Sequence, residues 1–239
     1  MSGLEVAAYG VELLDDSKAA PDLVRESLRN IARANWWFGG AAAVRYGLRQ
    51  ALAGPNRSGV VTLLDVGTGL GDLPRMAVGW AARRGIVLRA IGLEPHAVAA
   101  RAARGGGMPA VRGDGATLPF GNRSVDLVLL SQVAHHFAPQ AIVRLLRECA
   151  RVARTAVIVA DLRRSRLAAV AFPVAGRLLR FDRHTVQDGI TSLRRGFTAG
   201  TLEALLVQAG LTARVARRPG ARLVAVGYVG PDSSPVRPS

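Results

Sequence analysis

Apolar residues along this chain follow two rhythms. Val60-Val61-Thr62-Leu63-Leu64-Asp65-Val66 is a nearly unbroken aliphatic and β-branched run closed by glycines. That pattern predicts a strand covered on both faces, as in a parallel sheet. Ile86–Leu93, Ala110–Arg112, Asp126–Leu130 and Ala156–Ala160 repeat it. Between these runs lie segments that predict helices at Leu73–Arg84, Ala97–Ala103 and Pro139–Arg154. Strands alternating with helices across short connections predict an α/β fold with a doubly wound, mostly parallel sheet.

The flanks differ. Val24, Leu28, Ile31 and Trp36 recur at helical intervals and predict helix over 22–54, broken at Gly39-Gly40 and ended by Gly54-Pro55-Asn56. Residues 163–197 leave the alternation: an arginine-flanked apolar helix, Leu167–Leu179 with Pro173 inside it, precedes a polar stretch. The expectation is an insertion over the sheet edge. Thr201–Gln208 reads as a last helix, and Thr212–Arg217 and Arg222–Val229 meet at Pro219-Gly220 as a C-terminal antiparallel hairpin. The organisation expected is a helical cap at 1–57, a main domain at 58–229 carrying the insertion at about 163–197, and a Pro/Ser-rich, disordered tail at 230–239.

Composition restricts the class. With 239 residues, 49% apolar and 21% charged, the chain is long and apolar enough for one α/β domain with a real core. Its longest apolar run, Leu167–Gly176, falls short of the roughly 18 residues that span a bilayer. Glu5 and Glu12 interrupt the N-terminal apolar stretch, and no basic segment precedes it, so a cytoplasmic protein is expected. The single cysteine, Cys149, excludes an internal disulfide and a cysteine-based metal cluster, and no metal is expected. A net charge of +15, almost all of it arginine, attracts polyanions nonspecifically but does not define chemistry.

The informative segment is Asp65-Val66-Gly67-Thr68-Gly69-Leu70-Gly71-Asp72, directly after a buried strand and before a helix. Alternate glycines let the backbone turn tightly and approach a ligand. A dinucleotide frame starting at Gly67 would put Asp72 at the third glycine, where a carboxylate would repel a pyrophosphate. A Walker loop is excluded because no Gly-Lys-Ser/Thr follows. The ligand is therefore not strongly anionic. Asp65 and Asp72 suit one that carries an ammonium and a sulfonium.

From about Val60 to Asp161 the chain resembles the class I S-adenosylmethionine-dependent methyltransferases, which implies a Rossmann-like methyltransferase fold with S-adenosyl-L-methionine as cofactor. The resemblance rests on Asp65 with Gly67, Gly69 and Gly71, on Ile91-Gly92-Leu93-Glu94, and on Gly113-Asp114-Gly115. It implies that Asp65, Thr68, Asp72 and the glycines hold the methionine end. Glu94, followed by Pro95, would hold the ribose hydroxyls, and Asp114 beside Gly115 the adenine amino group. Ser131 and Gln132 end the fourth strand of the same crevice. The run Asp114–Phe120 followed by Ser124–Val128 is similar to small-molecule members, including those of quinone and polyketide biosynthesis. The placement is chemically coherent: ligands of such sheets sit at the strands' carboxyl ends, a cis-diol wants a bidentate acceptor, and an exocyclic amine wants a single one.

Chemistry on the acceptor points to His135 and His136, which follow that fourth strand. An imidazole suits a base for a phenol or enol, and it equally suits a packed, hydrogen-bonding role. The Asn/Asp-Pro-Pro-Tyr/Phe motif of nucleobase amino-methylation is replaced by Ser131-Gln132-Val133-Ala134, and Cys149 lies on an apolar helix face with Ile142, Leu145 and Val152. Arg144, Arg147, Arg151 and Arg154 share another face of that helix, either a nucleic-acid track or a solvated surface. Trp36-Trp37-Phe38 before Gly39-Gly40 suits a lid or a core-facing cap. The function expected is methyl transfer to oxygen or carbon of a small, hydrophobic phenolic, quinone-like or polyketide acceptor. The alternatives are an RNA methyltransferase and a non-catalytic relative that binds cofactor or a partner. The partner expected is a small molecule rather than nucleic acid, with peripheral membrane contact open to the insertion.

Overall fold

Strand-forming runs become one seven-stranded sheet: β1 (Val60–Val66), β2 (Val87–Glu94), β3 (Ala110–Arg112), β4 (Val125–Ser131), β5 (Ala153–Leu162), β6 (Val215–Arg218) and β7 (Arg222–Tyr228). These positions come from a computed structural model that describes residues 12–16, 18–53 and 59–229. The strand order is β3-β2-β1-β4-β5-β7-β6. The first five strands are parallel, and β7 runs antiparallel to both β5 and β6. Order reverses between β1 and β4, where Leu64 pairs with Val128, so a crevice opens at their carboxyl ends.

The helices are α1 (Pro21–Trp37), α2 (Gly40–Ala51), α3 (Asp72–Ala82), α4 (Ala97–Gly105), α5 (Pro139–Val152), α6 (Arg166–Leu178), α7 (Arg183–Arg195) and α8 (Ala199–Gln208). Side chains alternate across the strands, and each face of the sheet has its own core. Leu64, Val128 and Leu130 pack with Ile142, Leu145, Leu146 and Cys149 of α5 and with Leu202 and Leu206 of α8. Leu63, Leu127 and Leu129 face Val44 and Leu48 of α2 and Ala77 and Trp80 of α3. Each fully buried Leu-sized side chain contributes about 1.5–3 kcal/mol. The two-sided burial explains why these strands read as unbroken apolar runs.

Four expectations change. The polar stretch after the apolar helix is itself helical: Asp182 caps α7 by accepting the Thr185 amide at 2.9 Å, and α6 and α7 form a hairpin. That hairpin packs close because Gly189 lies against Phe172, where a Cβ would come within 2.2 Å of the ring. It sits over the crevice rather than over the sheet edge, since Ala168, Phe172, Thr185 and Gly189 line the crevice cavity. β5 starts at Ala153, three residues earlier than expected, and β6 is confined to Val215–Arg218. The expected stop at Gly54-Pro55-Asn56 and the tail at 230–239 lie outside the described residues, as do residues 1–11.

Candidate functional site

The loop between β1 and α3 is shaped by its glycines. Gly67, Gly69 and Gly71 have φ of 76°, 54° and 72°, the left-handed region that side chains disfavour. A Cβ on Gly67 would also meet Val133 Cγ2 at 2.4 Å. The loop is pinned to β2: the Gly67 and Thr68 amides donate to the Leu93 carbonyl, and the Gly69 amide donates to Glu94 Oε2 at 2.9 Å. A concave backbone cradle results at the switch point of the sheet.

Around the cradle lie carboxylates that burial disturbs. Asp65, 3% exposed, is pushed up to a pKa of about 7 by burial; a hydrogen bond from the Thr68 hydroxyl at 2.7 Å opposes the shift, and Asp72 and Glu94 add repulsion. Burial likewise raises Asp72 despite the Asn35 amide donated to it, and raises Glu94 although the His96 and Gly69 amides donate to it. Three acids whose charged forms burial disfavours more than their partners favour them form a site that wants a cation. Ser131 Oγ, also buried, has no partner among the described residues. The glycine cradle, the acids and this orphan hydroxyl fit an amino-sulfonium nucleoside and oppose a phosphate.

The cradle opens into a cavity of about 430 Å³. Every cofactor-binding residue expected from the sequence except Gly71 lines it: Asp65, Gly67, Thr68, Gly69, Asp72, Glu94, Pro95, Asp114, Gly115, Ser131 and Gln132. Gly71 instead caps the N-terminus of α3, where a Cβ would meet Met108 at 2.7 Å. Asp114 is held in place by accepting the Ala116 amide at 2.9 Å. Gln132 is already engaged: its amide group donates to Asn35 and accepts from Arg222. Arg222, buried beneath the cavity, also donates to the Phe38 carbonyl at 3.0 Å; burial lowers its pKa to about 10, with the charge of Asp161 acting in the opposite direction.

Both histidines line the cavity, with different partners. His135 Nδ1 lies 2.7 Å from Asp161 Oδ1, both side chains are buried, and His135 Nε2 has no partner among the described residues. Asp161 also accepts the Ala134 and Leu162 amides at 2.9 and 2.7 Å. Burial alone would raise the Asp161 carboxyl, but the His135 ring and these contacts outweigh it and hold it below the usual carboxylate range. An ionised Asp161 fixes the proton of His135 on Nδ1 and leaves Nε2 as an acceptor. His136 stands 3.8 Å from Glu12, whose other oxygen accepts from Arg195 at 3.1 Å and Ser192 at 2.9 Å. Ligating atoms of Glu12, His135 and His136 lie within 4.8 Å of one another, but the Arg195 guanidinium on Glu12 opposes a cation there.

Sequence reasoning did not single out Asp161, Glu12, Asn35, Arg195 or Arg222. Asp161 did end a predicted strand run, the signal that had marked Glu94. The roof of the cavity also differs from expectation. Phe38 lines the cavity and packs against Phe172 with ring centroids 5.4 Å apart and the rings tilted by 59°, whereas Trp36 and Trp37 are 62% and 69% exposed. Cys149 is fully buried in the core, and burial pushes its thiol far up. The expected row of four arginines on one helix face is shorter: α5 ends at Val152, so Arg154 lies on β5, where it pairs with Asp126, while on α5 Arg151 binds Glu148 and the Leu118 and Phe120 carbonyls and Arg147 the Gln208 carbonyl.

Residues 64–160 match the family described as a methyltransferase domain. No curated protein matches the chain. Among solved structures the chain is similar to NcsB1, an O-methyltransferase from neocarzinostatin biosynthesis, in complex with S-adenosyl-L-homocysteine and 1,4-dihydroxy-2-naphthoic acid (20% identity, 92% of this chain and 62% of that one, TM-score 0.61). It is similar to the magnesium protoporphyrin IX methyltransferase of Synechocystis PCC 6803 (14% identity, 80% and 84%, TM-score 0.57). It is also similar to a SAM dependent methyltransferase of Aquifex aeolicus (14% identity, 89% and 100%, TM-score 0.58). At these identities the likeness concerns the fold.

Proposed function

We propose that this chain, a class I S-adenosylmethionine-dependent methyltransferase by the methyltransferase domain at residues 64–160, methylates a small, hydrophobic phenolic, quinone-like or polyketide acceptor at oxygen or at an activated carbon. S-adenosyl-L-methionine is the cofactor, and when bound it supplies a methyl group on a sulfonium. Asp65, Asp72 and the glycine cradle would hold its charged methionine end, Glu94 its ribose hydroxyls and Asp114 its adenine edge. The first three acids gain most from this, because a cation or hydroxyl donor relieves their burial.

The observation that carries the acceptor reading is the buried His135 Nε2. It has no partner among the described residues, and Asp161 stands behind the ring. His135 takes the acceptor's hydroxyl or enol proton at Nε2, while Asp161 keeps the ring oriented and stabilises the imidazolium that forms. Leu28, Ile31, Phe38, Phe172 and Leu193 wall the cavity and favour an apolar acceptor from which water is excluded. Of the three arginines on α5, Arg147 and Arg151 make contacts within the chain, which supports a structural rather than a nucleic-acid role for that face.

The test is S-adenosylhomocysteine release with a panel of phenols, hydroxyquinones and polyketide-derived enols, run beside unmodified RNA transcripts. Turnover confined to the small molecules is expected. Methylated RNA with a silent panel would overturn the reading. Cofactor binding without any turnover would point to a non-catalytic relative.

A further inference from the structure

α6 has two faces of different character. Ala168, Phe172 and Ala175 turn inward and wall the cavity. Leu167, Val170, Val174 and Leu178 turn outward and are 80%, 76%, 65% and 80% exposed. They recur at intervals of three and four residues, so they form one stripe along one side of the helix, about 16 Å long at 1.5 Å per residue. Scattered exposed aliphatics are ordinary, but four aligned on a single helix are not.

The surroundings of the stripe are cationic. Arg164, Arg166, Arg177, Arg180 and Arg183 are all exposed. The acids of the same hairpin turn away from the outer surface: Asp182 accepts from Asn30 and Thr185, and Asp188 lines the cavity and accepts the Leu13 amide at 3.1 Å. An apolar stripe bordered by arginines has the chemistry of a helix lying in the headgroup region of a bilayer. No described helix is long and apolar enough to cross a membrane, which leaves contact in the plane of the surface.

We propose that the outer face of α6 docks this protein on an anionic phospholipid bilayer, with Leu167, Val170, Val174 and Leu178 inserted among the acyl chains and the flanking arginines on the headgroup phosphates. Charge complementarity selects the occupant: the arginines would repel one another across a self-association of this face, and anionic lipid neutralises them. Because α6 also walls the cavity, one element would serve both membrane contact and access for a lipophilic acceptor.

The experiment is flotation of the full chain with vesicles of phosphatidylglycerol and phosphatidylcholine, beside vesicles of phosphatidylcholine alone. Binding to the anionic vesicles is expected, with at least a tenfold lower partition coefficient for Val170→Asp/Val174→Asp. The double variant should keep the parent's circular dichroism melt and cofactor affinity, since both residues point to solvent. Equal partitioning of parent and variant would overturn the proposal, because bulk positive charge alone would then account for binding. Failure of the parent to float would overturn it too, as would a dimer in sedimentation that the double variant abolishes. Arg166→Gln/Arg177→Gln gives a second arm: it should lower anionic-vesicle binding while leaving the apolar stripe intact.

Discussion

Asp65 makes the cofactor-free fold sensitive to pH in a direction opposite to most carboxylates. Its pKa rises from 3.8 in the unfolded chain to about 7 in the folded one, first through burial. A folded pKa above the unfolded one means that stability is fully present below pH 4 and is lost as pH rises through 7. At about 1.4 kcal/mol per unit, the loss is at most about 4 kcal/mol, roughly half of it between pH 5.5 and 8. Asp65→Asn keeps the shape and an oxygen to accept the Thr68 hydroxyl, but cannot ionise. Urea denaturation without cofactor should therefore show the parent losing about 2 kcal/mol relative to the variant on going from pH 5.5 to 8. In melting temperature the difference is about 4–8 °C. Saturating S-adenosylmethionine should restore the parent at pH 8 and do little for the variant. Superimposable pH profiles of the two proteins, free of cofactor, would refute the reasoning.

Other expectations follow from the same geometry. Cofactor affinity of the parent should weaken about tenfold from pH 8 to pH 6, read by calorimetry, as Asp65 takes up its proton. Glu94→Ala should lower cofactor affinity by about 1–3 kcal/mol, the scale of a charged hydrogen-bond pair, and unchanged binding isotherms would remove Glu94 from the ribose site. His135→Ala should cut kcat by about 10²–10⁴ while leaving the cofactor dissociation constant close to that of the parent. Asp161→Asn should also lower kcat and move the pH profile of turnover; a loss of kcat without such a move would make the Asp161 contact merely structural. Gly67→Ala should destabilise the fold by more than about 1 kcal/mol, because a left-handed φ of 76° and the close approach of Val133 both oppose a methyl group.

Much of the site was legible because a parallel sheet writes itself plainly. β1 reads as an apolar run since both its faces are buried, and the glycines after it have no other use than a tight, close-approaching turn. Glu94 stood out because it directly follows the second strand run, where the family resemblance places the ribose carboxylate. Asp161 carried the same strand-end signal but no neighbouring motif, and its meaning comes from His135, brought beside it by pairing of β4 with β5. Glu12 and Arg195 are too distant in sequence for any pattern to join them, yet they meet at 3.1 Å under the cavity roof. The choice between His135 and His136 was likewise a tertiary matter. α7 went unread because its inward residues include Thr185, Ser192 and Arg195, so a polar segment forms a buried helix through hydrogen bonds rather than an apolar stripe. Trp36 and Trp37 suggested a lid or a core by their size, and the structure turns both to solvent while Phe38 alone faces the cavity.

The central claim is that the notch between β1 and α3 receives a cationic sulfonium nucleoside and not a phosphate-bearing cofactor. A side-by-side calorimetric titration at pH 8 with S-adenosylmethionine, NADH and ATP tests it most directly. Saturable binding of S-adenosylmethionine, lost in Asp65→Asn, with flat traces for the two phosphates is the predicted result. Tight binding of NADH or ATP with S-adenosylmethionine ignored would contradict it.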